Sequence, residues 1–117
     1  MITVKRGETK TINLHIKENG SDKNITDYTI SFTVKVNSKD FDDSDSVAVI
    51  KKDITTHTDP AAGKTAIVLD ENDTKLPPRT YVYDIKIKSP SGDWVKYKAL
   101  DNFLVEGVVT NRWLAKI

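Results

Sequence analysis

Cysteine is absent from the 117-residue chain, so neither a disulfide nor a thiolate metal site supports its fold. The absence fits folding in a reducing cytosol. Stability then falls to the hydrophobic core, and a chain of this length buries roughly two-thirds of its unfolded surface. Long apolar runs are missing too. The longest, Val47-Ala48-Val49-Ile50 and Ala66-Ile67-Val68-Leu69, are far too short to span a membrane. The opening residues, Met1-Ile2-Thr3-Val4-Lys5-Arg6, lack the apolar centre of a signal peptide. Nor is there an excess of one charge: charged side chains make up 30% of the residues, yet the net charge is only +1. Interleaved signs describe a solvated surface and argue against nucleic-acid and membrane partners. The densest lysine stretch, Lys86 to Lys98, alternates with apolar residues, contains Asp93 and follows Asp84. It reads as outward strand positions.

What is present is a period of two. Ile12, Leu14 and Ile16 alternate with Thr11, Asn13, His15 and Lys17, the mark of a strand with one buried face. Asn19-Gly20 follows as a turn with easy positive φ. Ile30, Phe32, Val34 and Val36 define a second strand, rich in β-branched and aromatic residues. Asn37 to Ser46 reads as a polar, acidic loop, and Val47 to Ile54 as a strand. After a turn at Asp59-Pro60-Ala61-Ala62-Gly63, Lys64 to Leu69 forms another strand. One short helical turn is expected over Asp70 to Leu76, capped by Asp70, helped by Asp73 and ended by Pro77-Pro78. Arg79 to Lys88 is the clearest strand, with Tyr81, Tyr83, Ile85 and Ile87 on one face. A hairpin turn at Ser89 to Asp93 leads into Trp94 to Leu100, which Asp101-Asn102 interrupts before Phe103 to Glu106.

About seven short strands at regular spacing predict an all-β, immunoglobulin-like antiparallel β-sandwich with one short helical turn. The Cys…Trp…Cys spacing of antibody domains is missing. The expected core includes Ile12, Leu14, Ile16, Ile30, Phe32, Val34, Tyr83, Ile85 and Ile87. The chain reads as one domain, residues 1–117.

Catalytic and metal chemistry finds little support. His15 and His57 sit among polar neighbours, with Glu18 and Asp59 the nearest following carboxylates. Neither spacing matches a catalytic or metal motif, so both read as surface residues. Asp40-Phe41-Asp42-Asp43-Ser44-Asp45 gathers hard oxygen donors but lacks the glycine and terminal Glu of an EF-hand loop. It reads as solvated, with Phe41 either pinning the loop or acting as a contact residue. Tyr81 and Tyr83 read as core or cross-strand packing in preference to an aromatic ligand platform. No catalytic residue, cofactor or metal is expected.

Five ordered segments carry a resemblance. They are Val4 to Thr9, Ile25 to Ile30, Asp59 to Lys64, Leu76 to Ile85 and Ser89 to Asp93. Together they resemble the N-terminal immunoglobulin-like domain of phage baseplate upper proteins, a family of phage and prophage tail proteins. Arg79-Thr80 stands where that family usually has Gly soon after the prolines, and Asn102 near another expected Gly. The resemblance implies a non-catalytic virion structural protein in the tail, resident in the host cytoplasm before assembly. It would contact other tail and baseplate proteins, with a homo-oligomer also compatible. The alternative is a carbohydrate- or cell-surface-binding adhesion module. Val108 to Ile117 reads as a docking segment: Arg112, Trp113 and Leu114, with Phe41, are the expected contact residues. A final edge strand is the other reading of that tail, from Val108-Val109-Thr110.

Overall fold

The computed structural model describes residues 1–36 and 48–108. Among these residues the strands are β1 (Ile2–Lys5), β2 (Lys10–His15), β3 (Lys17–Glu18), β4 (Ser21–Asp22), β5 (Thr29–Lys35), β6 (Ile50–Ile54), β7 (Lys64–Leu69), β8 (Arg79–Lys88) and β9 (Trp94–Glu106). A five-stranded sheet has the order β1-β9-β8-β5-β6, a two-stranded sheet pairs β2 with β7, and the small β3–β4 hairpin stands apart. Setting that hairpin aside leaves seven principal strands. In chain order they reproduce the immunoglobulin plan, with β9-β8-β5-β6 as the G-F-C-C′ sheet and β2-β7 as the B-E pair. The fold is all-β and sandwich-like.

The alternation written in β8 builds the core. Tyr81, Tyr83, Ile85 and Ile87 are buried on one face. On β5, Ile30 lies opposite Ile87, Phe32 opposite Ile85 and Val34 opposite Tyr83. On β9, Phe103 lies opposite Tyr81. The Phe32 ring packs on Tyr83 and Phe103 at centroid distances of 5.5 and 6.1 Å. Ile67 and Leu69 of β7 close the core from the other sheet. Each such side chain taken fully out of water contributes about 1.5–3 kcal/mol.

Tyr81 also makes the corner between β7 and β8. Its hydroxyl donates to the Pro77 carbonyl at 2.7 Å, near the start of the strand corresponding to F. This is the tyrosine corner of immunoglobulin-like sandwiches. Two residues later, where an antibody domain has the second cysteine, stands the buried Tyr83. Burial holds the Tyr81 phenol above its ordinary value of 10.0.

Turn chemistry places the remaining joints. Gly7, at φ 82°, carries the chain from β1 in the large sheet to β2 in the small one. Asn19 and Gly20 both take positive φ and close the β3–β4 hairpin. Residues 60–62 form a 3-10 turn ending at Gly63, which is buried at φ 75°. A Cβ at Gly63 would collide with the Ile16 carbonyl and lie 2.7 Å from that of Lys23. The expected helical turn is α1 (Glu71–Thr74), and Asp70 and Asp73 form a reciprocal capping box around it. The Asp73 amide bond holds the Asp70 carboxyl below its ordinary value.

Several expectations need correction. The sheet is not wholly antiparallel, because β1 joins the end of β9 in parallel register from Ile2↔Phe103 to Lys5↔Glu106. Ile12 and Leu14 point inward, opposite Ile67 and Thr65, but are only half-buried. The strand read from Val47 begins at Ile50. Asp101-Asn102 does not break the last strand, and β9 runs through it. The irregularity is a pair of register shifts between Tyr83↔Asp101 and Lys86↔Lys96, bulges that leave extra residues on β9. The loop read at Asn37 to Ser46 and its acidic run Asp40 to Asp45 lie outside the described residues. So does the tail from Val109.

Two substitutions test this account. Ile85→Asp buries an unpaired carboxylate among Phe32, Tyr83 and their neighbours, and such changes cost more than about 4 kcal/mol against a typical total of roughly 5–15. The expected result is loss of the cooperative thermal transition, and wild-type melting would show the inward assignment of β8 to be wrong. Tyr81→Phe leaves the Pro77 carbonyl without its donor and lowers urea-unfolding stability by about 1–3 kcal/mol. Because folding raises the phenol's pKa, that part of its stabilisation is complete below the unfolded value and lost as pH rises through the folded one. The difference between Tyr81→Phe and wild type therefore changes at strongly alkaline pH and is constant near neutrality.

Candidate protein-contact surface

The β8–β9 hairpin ends in a tip fastened by its own polar groups. The Ser89 amide donates to the Asp93 carbonyl at 2.8 Å and the Gly92 amide to the Ser89 carbonyl at 2.9 Å. The Asp93 amide donates to Ser89 Oγ at 3.1 Å, and Ser91 Oγ to Asp93 Oδ2 at 3.2 Å. Gly92, at φ 97°, supplies the positive φ. This tip fixes the start of β9, where Trp94, Val95 and Tyr97 are 50%, 62% and 38% exposed. The other large apolar residues exposed among the described ones are Met1 and Val68, so the apolar surface is concentrated within four residues of β9. Val95 is paired with the buried Ile87. It is nonetheless exposed, whereas Ile87 is covered.

Polar contacts hold this end in place. Lys88 Nζ lies 5.4 Å from the centroid of the Trp94 ring, a cation–π approach. Tyr97 Oη donates to the His15 carbonyl at 3.3 Å, tying β9 to the end of β2. His15 Nε2 meets Asp22 Oδ1 at 2.8 Å across the small hairpin. The exposed position expected for His15 holds, but its carboxylate partner is Asp22, not Glu18. Glu18 instead accepts from Lys23 Nζ at 2.8 Å. That bond holds the Glu18 carboxyl low and the Lys23 ammonium high.

His57 is not the surface residue its neighbours suggest. It is half-buried, with Nε2 2.8 Å from the Tyr28 carbonyl and Nδ1 2.9 Å from Thr65 Oγ1. A carbonyl only accepts, so Nε2 carries the proton, and in the neutral ring Nδ1 accepts from the Thr65 hydroxyl. Tyr28 precedes β5 and Thr65 lies on β7, so the ring bridges the two sheets. With both nitrogens engaged, the geometry makes His57 an internal clamp.

Phe41, Arg112, Trp113 and Leu114 lie outside the described residues. Among the described residues no group of three or more His, Asp or Glu side chains has metal-ligating proximity, and no helix is long and apolar enough to cross a membrane. Tyr81 and Tyr83 are buried in the core, as cross-strand packing required. Sequence reasoning missed Trp94, Val95 and Tyr97. The available signal was an aromatic-rich run, Trp94-Val95-Lys96-Tyr97-Lys98, directly after a hairpin turn.

No protein-family model and no curated protein matches this chain.

His57→Ala removes the partners of the Tyr28 carbonyl and the buried Thr65 hydroxyl and lowers stability by about 1–3 kcal/mol in urea unfolding. A variant as stable as wild type would mean that water replaces both bonds and that the clamp contributes nothing.

Proposed function

We propose that this protein is a non-catalytic structural module of a phage or prophage tail, of the baseplate type, that acts through protein–protein contacts. The observation that carries the reading is the apolar and aromatic surface of Trp94, Val95 and Tyr97 at the end of a fastened hairpin. Aromatic residues on a rigid support are the residue class enriched at protein contacts. The resemblance to baseplate upper proteins supplies the tail assignment. Its five segments coincide with the joints of the fold: the Gly7 crossing, the approach to β5, the Gly63 turn, the tyrosine corner and the Ser89–Asp93 tip. They therefore support the sandwich directly and the tail role through the family.

The adhesion alternative would use the same aromatic residues as a sugar platform. Two details favour the protein contact. The Lys88 ammonium sits over the Trp94 ring, and the Tyr97 hydroxyl is already bonded to His15. Both groups are thus less available to a sugar.

The test is localisation in particles induced from the producing strain. Antibody labelling or cryo-EM is expected to place the protein in the tail, and its absence from purified particles would overturn the assignment. A chain ending at Gly107 is expected to melt like wild type but to lose tail incorporation, as a docking segment at residues 108–117 requires. Collapse of the fold on truncation would instead make that segment part of the sandwich. A specific hit on a glycan array, with no tail labelling, would favour adhesion.

A further inference from the structure

A strand at the margin of a sheet offers unpaired amide and carbonyl groups to any extended chain that fits. The large sheet treats its margins differently. At one margin, Lys52 of β6 lies in register with the inward Phe32, and its Nζ is held 2.9 Å from Asp73 Oδ2 of α1. An inward-turned charge with a covering helical turn is a protected edge. At the other margin β1 pairs with β9 only from Phe103 to Glu106. Among the described residues no strand pairs with the outer edge of β9 from Trp94 to Asn102. Two bulges interrupt that run, between Lys96 and Lys98 and between Lys98 and Asp101.

The chemistry of this edge is apolar and cationic. Trp94, Val95 and Tyr97 are exposed along it. Lys96 and Lys98 belong to the same strand, and Lys96 is placed directly opposite Lys86. On the adjoining strand Lys86 and Lys88 share the face of Trp94, and this cationic stretch suits an anionic partner. Lys86 is exposed, and neither Lys86 nor Lys88 forms an ion pair with a described residue. The nearby acids are partly committed: Asp101 is paired with the Met1 ammonium at 3.1 Å, and Asp93 accepts from Ser91. Asp84 is half-buried on β8.

The geometry points to strand addition at the hairpin end of β9, from Trp94 to Lys96, by an extended, acidic segment of a partner protein. Main-chain bonds to the open edge supply affinity. Carboxylates at alternate positions answer Lys86 and Lys88 on the face of Trp94, and an apolar residue between them covers Val95. A second copy of this chain is disfavoured as the occupant, because pairing this edge with itself places Lys86 and Lys88 of both copies on one continuous sheet. The β9 bulges confine the regular part of the edge to its hairpin end. This inference deepens the contact-module reading by naming the partner's chemistry, yet it is tested in purified protein and so succeeds or fails independently of tail localisation.

The experiment is fluorescence anisotropy with the full chain and a labelled peptide alternating Val and Glu, at low and high salt. Saturable binding that weakens with salt is expected. A Val–Lys peptide is expected not to bind. The Val–Glu peptide N-methylated at alternate residues, which keeps its charge but cannot add as a strand, is expected to bind about tenfold more weakly or worse. Lys86→Glu/Lys88→Glu and, separately, Trp94→Ala are each expected to weaken binding by about tenfold, with the fold checked by thermal melting. Absence of saturable binding, equal binding of the N-methylated peptide, or unchanged affinity in the lysine variant overturns the proposal. So does a concentration-dependent dimer lost on Trp94→Ala, which would make a second copy the occupant.

Discussion

The inward row of β8 is the constraint on which the other elements depend. Tyr81, Tyr83, Ile85 and Ile87 must share one face, and β8 must pair on both sides to keep them there. Its partners then have no freedom of register. A slip of one residue would turn Ile30, Phe32 and Val34 of β5 outward. Tyr81 adds a second restriction, because its hydroxyl reaches back to Pro77 and sets where the strand begins. One residue thus serves the core through its ring and the corner through its oxygen.

The same architecture has to hold two strands against five without a disulfide. Antibody domains join these sheets through cysteines, and this chain has none. Packing of Ile67 and Leu69 against the β8 and β5 rows takes over. Polar bridges supplement it: the Tyr97 hydroxyl of β9 donates to the His15 carbonyl of β2, while His57 joins Tyr28 to Thr65. Each hydrogen bond contributes about 1 kcal/mol net, less than burial of one large apolar side chain. The bridges therefore orient the sheets, and the apolar contacts supply most of the stability.

Asymmetry between the margins of the large sheet connects fold to function. The margin at β6 is closed by an ion pair to a capped helical turn. The margin at the start of β9, which no strand among the described residues covers, carries apolar side chains beside Lys86 and Lys88. Lysines on an edge discourage pairing between like edges. That restriction also favours an anionic partner, so avoidance of self-association and selection of another chain arise from one feature.

Local physics was sufficient for much of this. The alternation in β5, β7 and β8, the Asn19-Gly20 turn, the Asp70 cap and the Ser89–Asp93 tip each follow from residues a few positions apart, whose preferred dihedrals and faces do not depend on distant partners. Long-range geometry decided the rest. Alternation read Val95 like any half-buried strand position, but only the tertiary packing determines which inward positions are covered. The polar pair Asp101-Asn102 looked like a break, and only the register against β8 shows a strand continuing through bulges. His57 has polar sequence neighbours, whereas its partners are 29 and 8 residues away. The parallel seating of β1 beside β9 joins the two ends of the described chain, a relation that no short-range pattern encodes. The sequence by itself determined that β2, β5, β7 and β8 are strands, where several turns fall and which face is apolar, because those are properties of neighbouring residues. The tertiary structure alone decided that β1 joins the large sheet, which apolar residues stay in water and which polar groups meet, because each depends on where the chain places residues distant in sequence.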